Sequence, residues 1–92
     1  MTITLGQLTF DHATYDERGD VLYLHAGEPQ AAADADETPE GHAVRYAADG
    51  RVIGVTIVNA KWLLDQGQPI VITLPERVAV DPAVLAPAIH AA

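Results

Sequence analysis

The sequence predicts a single α+β domain over residues 1–92, an antiparallel β-meander of four to five strands with one short helix after strand four and a short C-terminal helix. Three observations predict it. Short runs alternate β-branched or aromatic residues with polar ones, glycine-containing turns separate several of these runs, and two segments carry helix-start signals. A chain of 92 residues has room for one such domain.

The strands are expected where the alternation is clearest. These runs are residues 8–15, 21–26, 42–47, 51–58 and 69–74, with a shorter extended piece before the first. Asp49-Gly50 supplies the positive φ that a tight hairpin turn requires. Gly54 interrupts a strand, and we expect it to admit a side chain from a helix or a partner. The last run begins at a proline, which favours a sheet edge.

A short helix is expected over residues 60–66. Asn59 is its predicted N-cap and Gly67 its end, because asparagine accepts hydrogen bonds from the first turn and glycine adopts positive φ. Trp62 and Leu63 are the predicted anchors of this helix against the sheet.

The rest of the chain extends a core expected over residues 8–67. In the extension, residues 68–92, an aspartate followed by proline at Asp81-Pro82 predicts a second helix, which Pro87 kinks or ends. Residues 27–41 hold five acids, two prolines and no basic residue, so we predict a mobile acidic loop there.

The run 21–26 is apolar on both sides, which is typical of a central strand or of a subunit contact. A chain of this size without cysteine gains buried surface most simply from a second copy. We therefore predict a homodimer. Its candidate interface residues are Val21, Leu22, Tyr23, Leu24 and Trp62.

Four histidines raise the question of a metal. If the first two long strands pair, His12 lies opposite Leu24 or His25, and His42 can join from the next strand. Zinc sites need three or four ligands, however, and no paired ligand spacing occurs in the sequence. We predict half-exposed strand histidines and no bound metal or cofactor.

The sequence does not indicate an enzyme. Asp16, Glu17 and Asp20 fall in a predicted turn, where water solvates them, whereas acid–base pairs need one carboxyl in an apolar pocket. The chain contains neither serine nor cysteine as a nucleophile, and its seven glycines are isolated. A metal-dependent or small-molecule enzyme that uses His12, His25 and nearby acids is the alternative.

Charge and hydropathy limit the classes of partner and the location that we expect for this protein. The net charge is −8 and the five Lys and Arg residues are scattered, which argues against nucleic acid and anionic membranes and favours a basic protein partner or solubility alone. No apolar stretch approaches the roughly 20 residues of a membrane span. Residues 1–10 lack a secretory signal pattern, so we expect a cytoplasmic protein.

Two blocks of the sequence carry a family resemblance. They are YDERGDVLYL (Tyr15 to Leu24) and VRYAADGRVIGVTIVNA (Val44 to Ala60), separated by the acidic gap. In this region, about 15–60, the chain resembles the bacterial family catalogued as domain of unknown function 2283. The chain departs from its pattern at His42, Ala43 and Arg45, where members usually carry a glycine and an acid. The resemblance implies a compact β-meander-plus-helix module, often oligomeric, with no established catalytic residue.

The predicted function is accordingly that of a non-catalytic small protein that acts through self-association or protein binding. An alternative is an antitoxin-like partner of a small basic protein, in which the acidic residues of segment 28–40 contact basic residues of the partner.

Overall fold

The computed structural model describes residues 1–28 and 30–90. Nine strands and two helices lie within them. The strands are β1 (Ile3–Leu5), β2 (Leu8–Phe10), β3 (His12–Asp16), β4 (Val21–His25), β5 (Asp34–Glu37), β6 (Ala43–Tyr46), β7 (Val52–Val58), β8 (Ile70–Thr73) and β9 (Arg77–Val80). The helices are α1 (Ala60–Asp65) and α2 (Pro82–His90).

Five strands form the main sheet in the order β3-β4-β7-β6-β5, and every neighbouring pair is antiparallel. Hairpins join β3 to β4, β5 to β6 and β6 to β7. The pairing of β4 with β7 is not sequential, because the chain crosses from β4 to the far edge before it returns. The β1–β2 and β8–β9 hairpins are separate two-stranded sheets.

The predicted α+β class, the antiparallel sheet and the two short helices are confirmed. The number of strands is higher than predicted. The run 8–15 divides at Asp11 into β2 and β3, which belong to different sheets, and the extended piece before it is β1. The run 69–74 pairs with β9 and is not an edge of the main sheet.

The acidic segment 27–41 is not irregular throughout, because Asp34–Glu37 form β5 at the edge of the sheet. A tight turn makes this possible: Thr38 N–H donates to His42 O (2.7 Å), and His42 N–H donates to the Thr38 hydroxyl (3.1 Å). The composition of the segment predicted a loop because it offers little apolar surface to bury. The four residues of β5 are all exposed, and the strand forms because backbone pairing with β6 needs no apolar burial. Pro29 of the predicted loop lies outside the described residues.

One hydrophobic core lies against one face of the main sheet. The sheet contributes Leu22 and Leu24 from β4 and Val55 and Ile57 from β7, on alternate positions as the period of a strand requires. The two small hairpins and α2 supply the opposing residues. The largest of these are Phe10, Leu5, Ile72 and Leu85. Within the described chain, no helix is long and apolar enough to cross a bilayer.

Helix α1 is capped by Asp20, a residue of the β3–β4 turn that is distant in the sequence. Asp20 Oδ1 accepts a hydrogen bond from Lys61 N–H (2.6 Å), Oδ2 accepts one from Trp62 N–H (3.2 Å), and the Asp20 carbonyl accepts one from Ala60 N–H (3.0 Å). The Tyr15 hydroxyl donates to Oδ1 at 2.7 Å. One aspartate therefore joins the β3–β4 hairpin to the start of the helix.

The expectation that the Asn59 side chain caps this helix is wrong. Asn59 occupies the N-cap position with φ 59° and ψ 40°, and its side chain makes no capping hydrogen bond. Asparagine tolerates this left-handed conformation better than most residues, which explains its place at the turn. The carboxylate of Asp20 already occupies the N–H groups that a capping side chain would satisfy.

The hydrogen bonds of Asp20 determine the protonation states of the Asp20 and Tyr15 side chains. Burial acts to raise the pKa of Asp20, but the hydrogen bonds from Lys61 N–H, the Tyr15 hydroxyl and Trp62 N–H outweigh it, and the pKa lies below its ordinary value. The bond to Asp20 is the main reason that the pKa of Tyr15 rises to about 12. At neutral pH the carboxylate is charged and the phenol is neutral, as the hydrogen bond requires.

Replacing Asp20 with alanine is expected to lower the free energy of unfolding by about 1–2 kcal/mol, because α1 loses its cap. The matched control, Asn59→Gly, keeps the left-handed turn and is expected to change it by only a few tenths, about 0.3 kcal/mol. Urea unfolding of both variants measures the difference. A loss for Asn59→Gly as large as that for Asp20→Ala would contradict the assignment of the cap to Asp20.

Candidate functional site

The main sheet has a second face, which points away from the core. We call it the outer face. It is formed, from β3 to β5, by His12, Thr14, Asp16, Val21, Tyr23, His25, Gly54, Thr56, Val58, Ala43, Arg45, Ala35 and Glu37. At its centre Tyr23 is 42% exposed, whereas its β4 neighbours Leu22 and Leu24 on the core side are 0% exposed. This exposed sheet surface is the candidate functional site.

One end of the outer face is aromatic and aliphatic. Val21 pairs with Val58 across β4 and β7, and Tyr23 lies two residues farther along β4. Val58 also lines a shallow groove of about 400 Å³ with Trp62 of α1 and Val71 of β8. Tyr23, Val21 and Val58 are neighbours on the sheet, and Trp62 shares the groove with Val58. We call these four residues the aromatic strip.

Trp62 does not anchor α1 to the core, and that prediction is wrong: its side chain is 60% exposed. Because Asp20 fixes the first residue of the helix, the helical period turns Ala60, Leu63 and Leu64 toward the interior. Trp62 then points outward. The predicted anchor Leu63 does pack against the core.

The five candidate interface residues divide between the two faces. Leu22 and Leu24 are fully buried core residues and are not available to a partner. Val21 is half-buried, and Tyr23 and Trp62 are exposed. The strand is apolar on both sides because one side builds the core and the other belongs to the aromatic strip.

The other end of the outer face holds the stacked histidines. His12 lies opposite His25, one of the two partners that the sequence allowed, and the two rings stack with centroids 4.3 Å apart and planes 7° from parallel. The Asp11 carboxylate lies 3.7 Å from His12 Nε2. The hydrogen bond from Gly27 N–H is the main reason that the pKa of Asp11 is lowered.

His42 does not join this pair. It is buried, and its Nδ1 accepts a hydrogen bond from Val58 N–H at 3.1 Å. Burial lowers the pKa of His42, and the nearby Glu40 carboxylate opposes this only in part, so the ring is neutral at neutral pH. Among residues 1–28 and 30–90, no group of three or more His, Cys, Asp or Glu side chains is placed to hold a metal ion.

Gly54 accommodates Arg45 and not a helix or partner side chain as predicted. The register places Gly54 between His25 on one side and Arg45 on the other. The guanidinium lies over the glycine so closely that a Cβ there would come within 2.5 Å of Arg45 Nη2. The row His12, His25, Gly54, Arg45 therefore ends at the guanidinium cation of Arg45, and we call it the cationic row.

The turn carboxylates are engaged by the fold. Asp16 Oδ1 accepts hydrogen bonds from Arg18 N–H (3.1 Å) and Gly19 N–H (3.4 Å), and Asp20 caps α1. A general acid needs a raised pKa, and that of Asp20 is lowered. Asp16 therefore stabilises the β3–β4 turn, and Asp20 stabilises the start of α1.

Comparison with known proteins identifies a family. Residues 12–61, more than half of the chain, match the model of the family described as "Protein of unknown function (DUF2283)". The matched range begins with β3 and ends in the first turn of α1, so it contains the whole main sheet and the Asp20 cap. No curated protein and no solved structure matches the chain.

The buried histidine generates a prediction on pH dependence. Because the pKa of His42 in the folded chain lies below its ordinary value of 6.5, its contribution to stability is complete above pH 6.5 and is lost as the pH falls through the folded pKa. In His42→Asn, the amide oxygen can accept the bond from Val58 N–H and does not titrate. We expect this variant to lose that part of the acid dependence.

The measurement is the free energy of unfolding well above and well below a pH of about 6.5. His90→Asn, a change on the exposed end of α2, is the control and should retain the acid dependence of the unmodified chain. If His42→Asn also retained it, the buried ring would not be its source.

Proposed function

We propose that this chain, which belongs to the DUF2283 family, is a non-catalytic module that forms a homodimer through the outer face of its main sheet. One observation carries the proposal. In a strongly acidic chain, the exposed side of the three central strands holds Val21, Tyr23 and Val58 of the aromatic strip and no carboxylate.

The charge distribution is the first support. The chain has 13 acids against five Lys and Arg residues. On the outer face, the acids lie on the two border strands only, as Asp16 of β3 and Glu37 of β5. The central strands β4, β7 and β6 present threonine, valine, tyrosine, alanine, histidine and arginine there. Depletion of charge and enrichment of Tyr and Trp are features of the centre of protein interfaces.

The occupant that fits this surface is a second copy of the chain. Two chains of charge −8 repel each other, so they approach best through a surface whose central strands carry no acids. A basic partner would instead be held by carboxylates. A two-fold axis close to Tyr23 would bring the same surface of both copies together and pack two sheets about 10 Å apart, as in a β-sandwich.

The non-catalytic part of the proposal is supported by the chemistry of the side chains. The chain contains no serine or cysteine. Asp16 and Asp20 are hydrogen-bonded to backbone N–H groups, and His42 holds Val58 N–H. Serine and cysteine nucleophiles are thus absent from the sequence, and three of the groups that acid–base catalysis could use are engaged in hydrogen bonds within the fold.

A basic protein partner is the second candidate, and β5 is the observation that favours it. Its four residues are exposed at the sheet edge, and Asp34, Asp36 and Glu37 are acids. An edge strand can pair with a strand of another protein, and its carboxylates would attract a basic one. Affinity capture from the native host is the test, and recovery of no stoichiometric basic protein would count against this candidate.

The dimer is tested by Tyr23→Asp. Light scattering should show the mass of two chains for the unmodified protein. The variant should have the mass of one chain, because the change places two like charges close together across the two-fold axis. Trp62→Ala should weaken the dimer without abolishing it, because Trp62 lies at the border of the surface. Circular dichroism checks that both variants fold.

The matched control is Val84→Asp, which adds the same charge at an exposed apolar position on α2. It should leave the mass at two chains. A mass of one chain for the unmodified protein from micromolar to millimolar concentration would overturn the proposal.

A further inference from the structure

A small cavity lies beside the cationic row, away from the aromatic strip. It measures about 130 Å³ and is lined by His25, Ala26, Glu28, Gln30, Arg45 and Ile53. An engineered protein cavity of about 150 Å³ is known to bind benzene, so this one has room for a molecule of a few non-hydrogen atoms. The proposed dimer does not account for the cavity, which needs an explanation of its own.

Two nitrogen atoms in this region are buried without a hydrogen-bond partner among the described residues. They are Nε2 of His25 and Nε of Arg45. Native proteins leave few buried polar atoms unpaired, because an unpaired one destabilises the fold. The guanidinium offers only N–H donors and no acceptor, so Arg45 Nε–H requires an acceptor from another group.

The surrounding residues hold both groups in place. The stacked ring of His12 supports one side of His25. Gly54 gives the guanidinium its position between β6 and β7, since any side chain there would displace it. The two donors therefore belong to an organised site and not to two freely rotating side chains.

We propose that this cavity binds a small organic carboxylate. One oxygen would accept the hydrogen bond from Arg45 Nε–H and the other from His25 Nε2–H, which are charge-assisted bonds of the stronger kind. The short carbon chain would contact Ile53 and Ala26, which give the cavity an apolar wall.

The electrostatics favour a carboxylate over a phosphate. Glu28 lines the cavity and the chain carries a net charge of −8, so a doubly charged anion is repelled more strongly than a singly charged one. The Glu28 carboxylate also competes for the two donors. Glu28→Gln should therefore bind the ligand more tightly than the unmodified chain.

Sodium propionate is the probe, added to the full ¹⁵N-labelled chain at constant ionic strength. Saturable NMR shifts are expected at the Gly54 amide and the Arg45 Nε–H, with a dissociation constant on the order of 1 mM for so small a ligand. Arg45→Lys keeps the charge but loses the Nε–H in its fixed position, so binding should weaken by about tenfold or more.

Gly54→Ala is the sharper variant. The backbone conformation at Gly54 allows alanine, and the new Cβ must push the flexible end of Arg45 aside, so the chain should fold and keep every charge but bind propionate about tenfold more weakly. Arg51→Lys, at the exposed turn before β7, is the control and should bind as the unmodified chain does.

Four results would overturn the proposal. They are the absence of saturable shifts, the same shifts with sodium chloride, tighter binding of inorganic phosphate than of propionate, and unchanged binding in Gly54→Ala and Arg45→Lys.

Discussion

The capping of α1 by Asp20 is the interaction on which the arrangement of the surface depends. Its carboxylate accepts hydrogen bonds from the Tyr15 hydroxyl and from two N–H groups of the helix, and its carbonyl accepts one from a third N–H group of the helix. The bonds connect residues 41 and 42 positions apart in the sequence. They fix where the helix begins and which way it is rotated. Trp62 is exposed for this reason, and Ala60 is buried for the same one.

The two faces of the main sheet follow from alternation along β4 and β7. Each strand gives its larger aliphatic side chains to the core and the intervening positions to the outer face. The β1–β2 and β8–β9 hairpins and α2 supply the opposing half of the core. These three elements lie outside the range that matches the family, so the flanking segments of this chain complete the core on one side of the family's sheet.

The sequence was sufficient for features that depend on neighbours in the chain. Period-two alternation located the strands, and the length of the turn before β4 limited the partner of His12 to Leu24 or His25, of which the structure has His25. It was insufficient where a distant residue decides the outcome. Nothing near Asn59 shows that Asp20 takes the capping role, and nothing near Gly54 shows that an arginine from β6 covers it. Trp62 was misplaced because the rotation of α1 is set by that distant cap.

Strand β4 explains why one surface can carry two different properties. Leu22 and Leu24 belong to the core, so Val21, Tyr23 and His25 all reach the outer face along one strand. Across β7 these three meet a valine, a threonine and a glycine in turn. The valine extends the apolar surface toward α1, whereas the glycine leaves room for the guanidinium of Arg45. Along the five residues of β4, the outer face therefore changes from an apolar surface at Val21 to the neighbourhood of the Arg45 cation at His25. The acids of the outer face lie on the border strands.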